Sequence, residues 1–213
     1  MGGDGVGVGQ DGAGALLASH ARALEAAGAE AVMICANLMH KVAPAVEAAI
    51  DVPLIHIGDA VAAAAGKMGQ LGVMGARWTM QDPFYADRLA LHGINVVPAS
   101  QADVDLTDRL VFDELTLGIV RDESRTALLG VVDRLADAGA QGVVLACTEL
   151  PLILSPGDAT VPQRRLSADE LARMPKPRPG LSERSERVPL INSADAHIAA
   201  AVDFILGDQG STD

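Results

Sequence analysis

The chain has 213 residues, a formal net charge of -12 and a hydrophobic fraction of 49%. That length buries a sizeable core, in one domain or two small lobes, and that apolar fraction excludes a disordered chain. The acidic balance, relieved only by a loose basic stretch over 164 to 187, argues against a nucleic-acid or anionic-membrane surface, and no apolar run is long enough to cross a bilayer.

The first residues, "MGGDGVGVGQ", lack the basic and apolar regions of a signal peptide. They carry a formal G-x-G-x-x-G at Gly7, Gly9 and Gly12, but no strand precedes it, so it does not fit a dinucleotide fingerprint. Residues 1 to 12 are read as a glycine-rich flexible start. A helix is expected over 16 to 27, ending at Gly28, followed by the apolar run "AVMIC" as a buried strand. Next come a helix over 43 to 50, "VPLIHI", an alanine-rich helix over 59 to 68, and the strand "QLGVMGA". A helix over 79 to 91 leads to "INVVPA". Helices over 102 to 117 and 121 to 138 precede the strand "GVVLAC". Last are "VPLI" and a helix over 194 to 206. The polar stretch 163 to 187, rich in Arg, Ser and Pro, breaks this rhythm and reads as a solvated insertion.

Short apolar runs alternating with helices predict an α/β fold of parallel strands flanked by helices on both faces. Ligands in such sheets sit outside the carboxyl ends of the strands. The only two cysteines, Cys35 and Cys147, lie at those ends. With no export signal, they are expected as free thiols in a reducing cytoplasm. No Cys/His spacing suggests zinc, so no metal is expected.

The chain also repeats itself. "LEAAGAEAVMICANL" over 24 to 38 overlays "LADAGAQGVVLACTE" over 135 to 149 without gaps, matching Leu24 with Leu135, Gly28 with Gly139 and Val32 with Val143. The cysteines do not match. Cys147 falls opposite Ala36, and Cys35 opposite Ala146. Two thiols facing across a cleft would suit proton transfer at a carbon acid without a cofactor, one thiolate removing the α-proton and the opposite thiol delivering one. That chemistry needs a thiol pKa lowered by helix N-termini or polar donors. The residues alone equally allow two small buried hydrophobes.

"CANLMHKVAPAV", "VPLIHIGDA", "LGVMGARWTMQDPFYADRL", "VFDELTLG" and "GVVLACTELPLIL" together resemble the aspartate/glutamate racemase superfamily, in its broad amino-acid racemase branch. The resemblance covers about 21 to 162 and resumes over 188 to 206. It implies two pseudo-symmetric α/β lobes, here 1 to 66 plus 193 to 213 and 67 to 192, with a cofactor-independent site in the cleft between them. Cys147-Thr148-Glu149 is similar to the aspartate-type motif rather than the Cys-Thr-His of glutamate racemases. It also implies an amino-acid or carboxylate substrate and allows a homodimer. Cys147 is the expected proton donor or acceptor, Cys35 the formal second thiol, and Asn37, Thr148 and Glu149 the expected substrate-binding group.

The sequence departs from the family pattern in three ways. The family's first catalytic position, immediately before the motif asparagine, is Ala36 here, and alanine transfers no proton. Leu38 stands where the family has a threonine that helps hold the substrate carboxylate, which makes the pocket more apolar. The family also begins with a strand and glycine-rich turn upstream of the point where this chain starts, so the first lobe is expected to lack parallel strands. By strand alternation, Cys35 is expected to face the core and Ala36 the cleft. Three readings remain: a racemase of the aspartate/glutamate type, a one-cysteine relative such as a decarboxylase or isomerase, and a non-catalytic shortened paralogue. Outside the motifs, His40 and Lys41 are expected at the surface or in a capping role. His197 is expected to be structural, and Trp78, Phe84 and Tyr85 to pack a helix between the lobes.

Overall fold

The computed structural model describes residues 5–155 and 188–207, with side chains from Gly12 onward. The insertion expected over 163 to 187 lies outside the described residues. The helices are α1 (Gly5–Ala26), α2 (Ala43–Glu47), α3 (Ile57–Ala65), α4 (Arg77–Gln81), α5 (Pro83–Ala90), α6 (Gln101–Asp113), α7 (Asp122–Asp137) and α8 (Ser193–Leu206). The strands are β1 (Val32–Met33), β2 (Leu54–Ile55), β3 (Gln70–Gly75), β4 (Asn95–Val97), β5 (Gly142–Ala146) and β6 (Leu190–Asn192). Two wholly parallel sheets result. One pairs β1 with β2, and the other runs β4-β3-β5-β6. This is the α/β arrangement that the alternating pattern predicts.

The larger sheet is covered on both faces. Leu71 and Val73 of β3 join Val144 and Ala146 of β5 in a core with Ile57 and Val61 of α3 and Tyr85 and Leu89 of α5. Met74, Val143 and Leu145 face the other way, into a core with Leu110 and Val111 of α6 and Leu128, Val132 and Leu135 of α7. The period-two alternation of side chains sorts one strand's residues between these two helix layers. Each fully buried leucine in them contributes about 2 kcal/mol. A smaller core joins Ala21 of α1, Val32 and Ile34 around β1, and Ala43 and Val46 of α2.

Both copies of the internal repeat form the same helix stop. Gly28 and Gly139 have φ of 95° and 108°. The Ala29 N–H donates to the Leu24 carbonyl and the Ala140 N–H to the Leu135 carbonyl, each at 3.0 Å. That pattern is the Schellman cap, and its left-handed residue favours glycine.

Several boundaries differ from the sequence reading. Helix α1 begins at Gly5, inside the stretch read as flexible, because extending a formed helix costs far less than nucleating one. The helix expected over 79 to 91 is two helices. Asp82, at φ −76° and ψ 144°, is extended because it precedes Pro83, whose ring disfavours the helical conformation at that position. Strand β1 is only two residues long, so the chain has left the sheet before Cys35. No described helix is long and apolar enough to cross a membrane.

Candidate functional site

A cavity of 200 Å³ opens at the carboxyl ends of β3 and β5, where Ala76 and Cys147 follow the strands, and meets the loop after β1. Ala36, Asn37, Thr148 and Glu149 are in its lining. Of the residues expected at the site, only Cys35 is outside the lining. It is exposed to solvent, not turned into the core as strand alternation suggests. The reason is local. The Ala36 N–H donates to the Ile34 carbonyl at 2.8 Å, closing a tight turn in which strand alternation no longer holds.

Cys147 is partly buried and its thiol donates to Glu149 Oε2 at 2.9 Å. The Thr148 hydroxyl donates to the same oxygen at 2.8 Å. Burial and then the Glu149 carboxylate push the Cys147 thiol up to about 12, while backbone groups of Glu149 and Leu150 pull the other way. This reverses the lowering that helix N-termini lead one to expect. The helical segment after Cys147, Leu150–Leu152, is a single 3-10 turn, too short to outweigh burial beside a carboxylate. Burial opposes the charge on Glu149, but the hydrogen bonds from Cys147 and Thr148 outweigh it and hold the carboxyl below its ordinary range. The resting site is therefore a neutral thiol hydrogen-bonded to a carboxylate.

Asn37 is buried and occupies the N-cap position of the 3-10 helix Leu38–Val42 without capping it through its side chain. Instead its Nδ2 donates to Ser193 Oγ at 3.0 Å, and the Tyr85 hydroxyl donates to its Oδ1 at 3.4 Å. Ser193 Oγ in turn donates to the Leu145 carbonyl at 2.8 Å. One side chain thus ties the first motif to α5, to α8 and to the end of β5. An amide has two donors and two acceptor sites, so Asn37, which is in the cavity lining, retains one of each beyond these two bonds. Ser193 is a positioning residue that the sequence reading missed. Its signal was the serine opening the last helix, where a cap would be expected.

His40 is buried rather than at the surface. The Ile57 N–H donates to its Nε2 at 3.1 Å, which leaves the proton on Nδ1 for the Ala36 carbonyl at 2.9 Å. It thereby pins the backbone at the cavity wall to the start of α3. Its ring lies 4.5 Å from His56 and 5.6 Å from His197. Burial lowers His40 to about 4 and His56 to about 3. His56 caps α3 by accepting the Gly58 N–H at 3.0 Å, and His197 donates to the Ile55 carbonyl at 2.6 Å. All three histidines are used structurally. Lys41 pairs with Asp82, bridging the first motif to the α4–α5 junction. Tyr85 is buried, but Trp78 is 50% exposed rather than packed. Among the described residues no group of three or more His, Cys, Asp or Glu could hold a metal ion.

Comparison with known proteins agrees with this architecture. The family model for Asp/Glu/hydantoin racemases matches residues 8–201. A crystal structure from Yersinia pestis, assigned as an Asp/Glu racemase, is 32% identical. It aligns over 92% of this chain and 75% of its own at a TM-score of 0.75. An aspartate racemase homologue from Pyrococcus horikoshii OT3 is 27% identical over 93% of this chain and 76% of its own, with a TM-score of 0.72. An uncharacterized protein of the pnlA 3'region in Pectobacterium carotovorum subsp. carotovorum is 31% identical over 101 residues, 47% of this chain and 66% of that one.

Proposed function

The chain belongs to the Asp/Glu/hydantoin racemase family, and from that premise we propose that it transfers a proton at the α-carbon of a small carbon acid, from one face only, with Cys147 as the donor. Taking and returning the proton on one face exchanges hydrogen without changing configuration, so net turnover needs an enolate made by breaking another bond: loss of CO2 from a substituted malonate supplies one, and protonation by Cys147 completes that decarboxylation. The observation that carries it is that a single thiol, Cys147, lines the cavity while the matching position is Ala36. Two-thiol racemisation of an aspartate- or glutamate-like substrate would need Cys35, which is exposed outside the lining.

In the proposed step the S–H bond of Cys147 breaks and a C–H bond forms at the α-carbon of an enolate. The S–H electron pair stays on sulfur, where backbone groups of Glu149 and Leu150 partner the thiolate. A thiol held near 12 is still a far stronger acid than an α-C–H, so the transfer runs downhill. In the reverse direction the same thiolate removes the proton it delivered, which exchanges hydrogen with solvent on one face. Burial and the Glu149 carboxylate keep the resting sulfur protonated, and the same carboxylate accepts from and orients the Thr148 hydroxyl. The lobes adopted for this reading are 1 to 66 plus 193 to 213 against 67 to 192, with the site where their strand ends meet. No cofactor takes part in the step as written.

The test is hydrogen exchange in heavy water against a panel of single-enantiomer amino acids and substituted malonates. Deuterium should enter without loss of optical purity and should depend on Cys147, as Cys147→Ala reports. Racemisation at the rate of exchange would overturn the one-face mechanism.

A further inference from the structure

We infer that this cavity is built for a substrate whose α-substituent is uncharged and apolar, and that it rejects acidic amino acids. The inference rests on the proposed site but not on its proton chemistry. Among the described lining residues there is no lysine, arginine or histidine, and the one ionised group is the Glu149 carboxylate. Leu38, Val111 and Phe112 supply apolar wall together with the small Ala36, Ala76 and Ala146, and Asn37, Thr79, Thr116 and Thr148 add only uncharged polar groups.

Three cations on neighbouring elements are held by carboxylates. Arg77, next to Ala76, donates to Asp105 at 2.6 Å and to Asp108 at 3.4 Å on α6. Lys41 is held by Asp82, and Arg88 by Asp59 at 2.5 Å with Glu47 at 3.3 Å. A substrate with a carboxylate in its side chain would set that charge in a small cavity beside Glu149, with no lysine, arginine or histidine among the described lining residues to partner it. Burying an unpaired like charge is expensive, because its hydration is lost and nothing replaces it. An apolar substituent meets the opposite balance, since it covers Leu38, Val111 and Phe112 and leaves water. The volume of 200 Å³ restricts the ligand to a small molecule, below the usual size of a drug-like pocket. Phe112 and Leu38 are thus assigned as specificity-determining residues.

Affinities of leucine and phenylalanine are to be compared with those of aspartate and glutamate by calorimetry on the full chain carrying Cys147→Ala. That variant removes the proton step, so its result stands apart from the exchange assay. The neutral pair should bind about a hundred-fold more tightly than the acidic pair. Phe112→Lys, at a half-exposed position, should reverse or cancel the preference. Equal or tighter binding of the dicarboxylates, binding of neither class, or a preference untouched by Phe112→Lys would overturn the assignment.

Discussion

Ala36 and Cys147 stand at equivalent ends of two repeated helix–turn–strand units and line the same cavity. On the proposed one-face mechanism, Ala36 brings only a methyl group to this lining at the position that the repeat matches with Cys147. Ala36→Cys should supply a second proton donor. Exchange at the second face should rise by about a hundred-fold, within the usual reach of one general acid or base, and optical purity should fall as label enters. Chiral chromatography of the deuterated product follows both quantities, and unchanged optical purity in a folded variant would contradict the geometry.

Burial, and then the Glu149 carboxylate that accepts its hydrogen bond, keep the Cys147 thiol protonated. Iodoacetamide at neutral pH should modify the exposed Cys35 well before Cys147, whose thiol is pushed up to about 12. Glu149→Gln removes the carboxylate charge and should lower the Cys147 pKa. Its thiolate fraction at neutral pH, and with it the rate of alkylation, should then rise steeply, about tenfold for a midpoint lower by one pH unit. Peptide mass spectrometry over a pH series separates the two thiols. Equal rates for both in the wild type would contradict the assignment.

Gly75 pairs with Ala146 across β3 and β5, and a Cβ built at Gly75 would lie 2.6 Å from the Ala146 carbonyl oxygen. Neither backbone can yield without moving the strand end that carries Cys147. Gly75→Ala should cost about 1–3 kcal/mol of stability, read as a lowered melting temperature. It should also reduce Cys147-dependent exchange more than the loss of folded protein explains.

The buried histidines make stability fall in acid. Folded His40 and His56 titrate near 4 and 3, against 6.5 when unfolded. Below pH 6.5 the unfolded chain binds protons that the folded chain refuses, so stability is fully present above pH 6.5 and declines as pH drops toward 4. His40 alone accounts for about 3 kcal/mol over that span. Urea titrations from pH 7 to pH 4 should show this slope. His56→Asn retains a cap acceptor for α3 but cannot titrate, and should flatten the decline. A profile indifferent to pH across that window would count against the buried, neutral state.

Much of the fold is legible locally. Short, nearly continuous apolar runs mark β3 and β5, because both faces of the sheet are covered and alternate side chains enter two separate cores, as Val73 and Met74 do. Gly28 and Gly139 mark helix stops, because a left-handed cap excludes most side chains. Less is legible where contacts between distant segments decide. Asp82 and Pro83 do carry a break signal that the helical periodicity around them obscured. Nothing near His40 announces burial between Ala36 and Ile57, and the serine that opens the last helix signals a cap but not its bonds to Asn37 and Leu145.

By itself, then, the sequence determined the alternation of parallel strands and helices, the repeat, and the offset that leaves Ala36 opposite Cys147. These follow from spacing along the chain, which needs no knowledge of what packs against what. Only the tertiary structure decided that Cys35 faces solvent, that the Cys147 thiol stays protonated, and that the cavity wall among the described residues holds no cation. The exposure of Cys35 follows from a turn that no residue pattern around it announces, whereas the thiol's protonation and the cavity wall depend on burial by segments far apart in the chain, and a pKa or a pocket exists only once such groups share a dielectric environment.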